Sequence, residues 1–280
     1  RIPDFRLLCI TQIATGLRMP MLFIAQAWYV NQVAPEDHRL LLLGLLGALR
    51  GLPFLAWVLF GGAFADRYPR RTMLIIAHMF AFVATVFTGA LLFLPGAAEG
   101  EGAWMWVMLG LFTTFGLINA QDMPTRNALI ASIVPPSMLT SSVTLFEMSM
   151  AIAMIVGGSI AGLLVDGVGF GTTYLLASTA HLVVLVAMLR MRSGQAAADR
   201  KASQESVLRN IRSGLGYLRG DAIVRWIVVL SWVVFIFGMT VLTLLVPPWI
   251  SDVLEADASA WGVMWTSWNV GGALIASALL

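Results

Sequence analysis

Long apolar runs separated by short polar connections recur along the whole chain, at residues 7–33, 40–65, 72–94, 103–120 with a polar extension, 139–165, 171–189, 227–246 and 258–280. Each run is close to the ~20 residues that cross a hydrocarbon layer as a helix. The pattern predicts eight helical spans. None of the runs shows the ten-residue alternation of apolar and polar positions that a barrel strand requires, and only a helix satisfies its own backbone groups away from water.

Composition agrees with this pattern. Apolar residues make up 59% of the chain and charged residues 11%, with a mean hydropathy of +0.85, values foreign to water-soluble domains. The expected class is an all-α integral membrane protein. Cys9 is the only cysteine, which excludes a disulfide framework and a cysteine metal cluster. The first run carries Arg18 at its middle and no small-residue cleavage site, so it reads as a retained helix and not a signal peptide. The chain opens without Met and stops at Leu280 inside an apolar run, so it is expected to be a piece of a longer protein.

Charge sorts itself by side. The N-terminal segment and the connections after the second and sixth runs carry Arg1, Arg6, Arg67, Arg70, Arg71, Arg190, Arg192, Arg200, Lys201, Arg209, Arg212, Arg219 and Arg225. The opposite connections hold Arg39 but otherwise Glu36, Asp37, Glu99, Glu101, Asp166, Asp252, Glu255 and Asp257. Since Lys and Arg near span ends stay on the cytoplasmic side, the expected topology is multi-pass with the N-terminus cytoplasmic. The longest connection divides the chain into a six-span bundle (1–191), a linker (192–221) and the start of a second bundle (222–280). Within the linker, Val207, Leu208, Ile211, Leu215 and Leu218 fall at helical spacing with Arg209, Arg212 and Arg219 between them. That suits a basic amphipathic helix on the inner surface, or an ordinary connector helix packed on the bundle.

A two-half design is also hinted at by Trp28 and Gly51, which recur as Trp249 and Gly272, with an acidic connection inside each copy. Parallel repeats of this kind build several transporter folds.

The stretch GGAFADRYPRRTM, Gly61 to Met73, places four charges between two apolar runs. Its Gly62, Asp66, Arg67, Arg70 and Arg71 resemble the signature between the second and third helices of the major facilitator superfamily. DMPTRNALIASIVPPSMLTSSVTLFEMSMAIAMIVGGSIAGLL and GLGYLRGDAIVR are similar to the branch containing the enterobactin exporter and related multidrug exporters. The likeness runs along nearly the whole chain. Pro69 stands where many members have Gly or Asp, and Gly158 where exporters often have Pro. The resemblance implies helices one to eight of a twelve-helix fold, with a complete six-helix half and the first two helices of the other. It implies a gating role for the signature as well, with Asp66 facing the N-terminus of the eleventh helix and the arginines tying neighbouring helix ends together. From the charges alone, the arginines equally fix orientation and bind inner-leaflet headgroups.

Arg18, Arg50, Asp122, Arg126 and Glu147 lie inside spans one, two, four and five, where a charge costs about 2.5–3.5 kcal/mol on insertion scales and seldom faces lipid. Spans four and five turn at IVPPSM, and Arg126 and Glu147 are equally far from that turn. About ten helical residues put both roughly 15 Å deep. Asp122 is one turn from Arg126 on the same helix. The expected network is therefore Arg126 with Glu147 and Asp122. A carboxylate in it, Glu147 or alternatively Asp122, can be emptied and refilled with a proton; the other reading is that the network only locks two helices together. Arg18 and Arg50 are candidate residues of a substrate cavity, permitting an anionic or polar ligand. Gly157, Gly158 and Gly162 form a small-residue face for close helix packing.

Other classes fare worse. Ser159 and His181 superficially offer a protease dyad, but His78 and His181 are read as packed helix residues with local hydrogen bonds. No HExxH helix or P-loop occurs, and neither a cofactor, a metal nor a nucleic-acid partner is expected. The expected function is secondary active export of small molecules, siderophore- or drug-like, driven by protons. The alternatives are a transporter-like receptor or scaffold without flux and, distantly, an intramembrane serine hydrolase. A monomer in the lipid bilayer is expected.

Overall fold

The computed structural model describes residues 2–51, 69–192, 216, 219–234 and 240–278. Of the signature, Gly62, Asp66 and Arg67 lie outside the described residues, as does nearly all of the basic linker helix. The described elements are helical: α1 (Pro3–Val33), α2 (residues 39–51), α3 (Arg70–Leu91), α4 (Trp104–Ile133), a run from Leu139 to Arg190, α7 (Ala222–Val234), α8 (Thr240–Asp252) and α9 (Ala258–Ala278).

Proline sets two of the turns. A residue before proline is pushed out of the helical region, and Ala34 before Pro35 (φ −71°, ψ 137°) ends α1 while Val134 before Pro135 (φ −102°, ψ 138°) ends α4. Short 3-10 turns, Glu36–His38 and Pro136–Met138, then start the next helix in both places.

The helical stretch Pro136–Arg190 has 55 residues, or roughly 80 Å at the rise of an α-helix, far more than the ~30 Å of a bilayer core. It therefore crosses twice. Gly169, at φ 79° and ψ 173°, breaks it with a conformation only glycine adopts without strain, and α5 and α6 denote the portions before and after that break. Pro3–Val33 and Arg70–Leu91 are likewise long and apolar enough to cross a membrane. On α3 the exposed large apolar residues are Ile76, Met79, Phe80, Val83 and Phe87, while Leu74, His78, Ala81, Thr85 and Thr88 are buried. A helix with its bulky apolar stripe outward and its small and polar stripe inward suits lipid outside and protein inside.

α1 packs along the Leu139–Arg190 run, which α9 and α3 also contact. Burial falls into two apolar layers. One, at the end that carries Arg39, holds Trp28, Tyr29, Leu43, Phe112, Tyr174 and Trp261. The other, at the end that carries Arg71, holds Leu8, Leu74, Ile130, Phe146, Val184 and Met188. Between them lies a polar layer of Thr11, Thr15, Arg18, His78, Asp122, Arg126 and His181, all buried.

Candidate functional site

The polar layer follows from helix register. Thr11, Thr15 and Arg18 occupy one face of α1 at spacings of four and three, and Asp122 and Arg126 are one turn apart on α4. Arg126 donates from Nε to Asp122 Oδ1 at 2.7 Å and from Nη2 to Thr15 Oγ1 at 3.0 Å, and Nη1 donates to Thr11 Oγ1. Thr11 in turn donates to the Leu8 carbonyl at 2.7 Å. His78 Nε2 lies 3.1 Å from the same Asp122 oxygen and 3.2 Å from Arg126 Nη2. His78 Nδ1 meets His181 Nδ1 at 3.0 Å. Arg18 is 1% exposed and adds its charge to that of Asp122 and Arg126. A buried guanidinium is tolerable only with this density of partners.

Two expectations change here. Arg126 pairs with Asp122 but not with Glu147, which is exposed on α5 and absent from the ion pairs among the described residues. Equal distance from a turn sets depth but not azimuth: Phe146 and Met150 face the protein interior, and Glu147 points about 100° away from Phe146. The histidines, expected to be packed helix residues with local hydrogen bonds, are packed and hydrogen-bonded, but their partners lie on other helices and make them members of the network. Their signal was present, because on α3 and α6 each lies on the stripe of small and polar residues, Ala81–Thr85 and Ser178–Ala177, opposite bulky apolar ones. The dyad reading fails, since Ser159 bonds Thr266 Oγ1 at 2.7 Å while His181 bonds His78.

Arg50, on α2, packs against α1 at another level. It donates to Gln26 Oε1 from Nε at 2.8 Å, bonds the same oxygen through Nη2, reaches the Phe23 carbonyl at 3.4 Å, and lies 4.9 Å above the Phe23 ring. Its guanidinium is thus level with residues 23–26, beyond Arg18 along the helix.

A second constellation joins the first six spans to α8 and α9 at the end that carries Arg39. Asp166, at the end of α5, accepts from the backbone N–H groups of Ala258 and Ser259 at 3.2 and 2.7 Å, so a carboxylate from one half caps the first turn of a helix in the other. Beneath it the helices nearly touch. A Cβ at Gly262 would stand 2.5 Å from the Gly158 carbonyl oxygen, and one at Gly162 would meet the Ala258 carbonyl oxygen. Asn31 donates to Ser251 at 3.1 Å, and Arg39 Nη1 bonds both oxygens of Asp252 at 2.7 Å. The Ser251 hydroxyl and then the Arg39 guanidinium hold Asp252 below the usual carboxylate range. A lowered folded value means this contribution is complete above the ordinary carboxylate pKa and is lost as pH falls through the lowered one. Labelling of a cysteine placed at Ala260, in a Cys9→Ala background, is therefore expected to stay constant from neutral pH down to ~4 and to rise only below it; a rise near neutral pH would exclude Asp252 as the cause.

At the opposite end Arg70 donates to the Ala128 carbonyl at 2.7 Å, and Arg71 to Met188 and Leu189 at 2.6 and 2.9 Å. The latter are carbonyls of the last turn of α6, groups with no partner inside their own helix.

Known proteins similar to this chain show its family. The family described as transmembrane secretion effector matches residues 1–280. The staphyloferrin A transporter of Staphylococcus aureus (strain NCTC 8325 / PS 47) is 23% identical over 243 residues, 87% of this chain and 59% of the relative. The multidrug efflux pump Tap of Mycolicibacterium fortuitum is 24% identical over 226 residues, 80% of this chain and 54% of the relative. The chain spans little more than half the length of these curated relatives. A multi-pass helical membrane chain that matches throughout its length belongs to the transmembrane secretion effector family of the major facilitator superfamily.

Proposed function

We propose that the complete protein is a proton-driven exporter of small molecules, siderophore- or drug-like, working by alternating access of two six-helix halves. The joint at the Arg39 end carries this reading. It is made of a helix cap, a bidentate ion pair and glycine-lined contacts, each of which can be broken without unfolding either half, as a rocking interface requires. The substrate class is argued from the relatives, one named for staphyloferrin A and the other for multidrug efflux. The division at 1–191, 192–221 and 222–280, a cytoplasmic N-terminus in the plasma membrane, and function as a monomer within the bilayer belong to the same proposal. So does gating by Gly62, Asp66, Arg67, Arg70 and Arg71, in which Asp66 docks against a helix of the second half.

In this reading Asp122 is the carboxylate that binds the coupling proton. It touches the network, whereas Glu147 does not. Arg18 and Arg50 flank the space where a substrate would pass, one at the network and one above it. The deciding experiment measures accumulation of candidate siderophores and drugs in cells carrying the full-length protein, with and without an uncoupler. Reduced accumulation that the uncoupler abolishes is expected. Binding without flux would favour a receptor or scaffold instead.

Asp166 tests the joint. Asp166→Ala removes the cap of α9 and is expected to weaken closure at that end by about 0.5–2 kcal/mol, while Asp166→Asn keeps most of it. Faster labelling of a cysteine at Ala260 in the alanine variant, and little change in the asparagine variant, is the expected pattern. Equal rates in all three proteins would mean that the cap does not hold the halves together.

A further inference from the structure

The contact between His78 and His181 has a directional consequence. Two imidazoles that meet through their Nδ1 atoms at 3.0 Å form a hydrogen bond only if one Nδ1 carries the proton and the other is bare. Asp122 decides which. Its carboxylate only accepts, so His78 Nε2, 3.1 Å away, holds the proton. A neutral His78 is then bare at Nδ1 and accepts from His181 Nδ1–H. The remaining nitrogen, His181 Nε2, is therefore bare as well, and it is buried with no hydrogen-bond partner among the described residues. The reverse assignment would set the lone pair of His78 Nε2 against the carboxylate. Arg126 Nη2 does not require that, since Thr15 Oγ1 accepts from it at 3.0 Å.

We propose that His181, His78 and Asp122 form a proton relay, in which His181 Nε2 is the entry site and Asp122 the destination. One proton binds His181 Nε2, the Nδ1 proton of His181 passes to His78 Nδ1, and the Nε2 proton of His78 passes to Asp122 Oδ1. The balance is one proton in and one carboxylate neutralised, with both imidazoles neutral again in their opposite tautomers. Every hydrogen bond survives with its polarity reversed, so the relay runs backward equally well. The lone pair of His78 Nε2, bare at the end, accepts from the new Asp122 O–H, while Arg126 keeps Thr11 Oγ1 and Thr15 Oγ1 as acceptors. The charged groups acting on the two rings are Asp122 and Arg126 from α4 and Arg18 from α1. The relay thus links α6 through α3 to α4, three elements that the first half brings together, and it rests on the proton-driven reading above.

The test uses the full-length protein and two readouts. Asn at position 181 keeps a donor toward His78 but cannot pass a proton on. In vesicles with an imposed pH gradient and ethidium as the probe, His181→Asn is expected to lose gradient-driven accumulation down to the level without a gradient, while ethidium exchange without a gradient persists. Accumulation equal to wild type with the same pH dependence overturns the relay. Nitrogen NMR of histidine-labelled wild-type protein provides the second readout: a bare Nε2 on His181 that gains a proton in step with the Asp122 carboxyl supports the relay, and a protonated Nε2 at neutral pH overturns it. If the variant loses both fluxes, or if wild type moves no ethidium and the export reading fails for this probe, the NMR result decides alone.

Discussion

Arg126→Ala is expected to destabilise the full-length protein by about 3–5 kcal/mol, because it leaves a buried carboxylate without its cation. Asp122 is 2% exposed and Arg126 is 0% exposed, so water does not readily replace the lost partner. His78 can share the burden only by becoming charged beside Arg18. The double variant Asp122→Leu/Arg126→Met removes both charges together and is expected to recover most of the loss, since an apolar pair of similar volume is often no worse than a buried ion pair. Thermal unfolding in detergent compares the three proteins. If the network carries the coupling proton, the stable double variant still fails to export against a gradient; a double variant that exports fully would reduce Asp122 and Arg126 to a structural lock. An Arg126→Ala protein melting with wild type would show that the site is wetter than its burial indicates.

Gly162→Val is expected to act on conformation more than on folding of the first half. Its side chain would meet the backbone of Ala258, where a flexible neighbour cannot yield. Overpacking of this kind costs about 1–3 kcal/mol, and here the halves can relieve it by separating at the Arg39 end. A shift of that size changes a two-state equilibrium by roughly 5- to 150-fold. The expected result is rapid labelling of a cysteine at Ala260 together with strongly reduced transport, in a protein that still inserts and melts near wild type. Gly167→Val is the control, since nothing among the described residues lies within 4 Å of a Cβ there. Equal transport by both variants would show that the close approach of α5 and α9 is not part of the cycle.

In the proposed rocking cycle the two sets of contacts would divide the labour. The joint would report which end is closed, and the polar layer between the two apolar layers would hold the groups that a proton resets. Their separation along α1, with Asn31 at the joint and Thr11 to Arg18 in the network, makes that helix the element through which one can bias the other.

Run length, proline position and the one-sided distribution of arginine already contain the helical spans, the turns at Pro35 and Pro135 and the membrane class, because each depends only on order along the chain: how much apolar length fits a bilayer and where a backbone cannot stay helical. The pairing of Asp122 with Arg126 was also legible, being one turn of a single helix. Glu147 was not, because depth from a turn leaves rotation about the axis free, and about 100° decides whether a side chain meets a partner or points outward. Nor could order along the chain bring His78 to His181, or Asp166 to the first turn of α9. Those contacts exist only where separate helices pack, and it is there that a histidine joins a buried polar network and a connecting aspartate becomes a cap between halves.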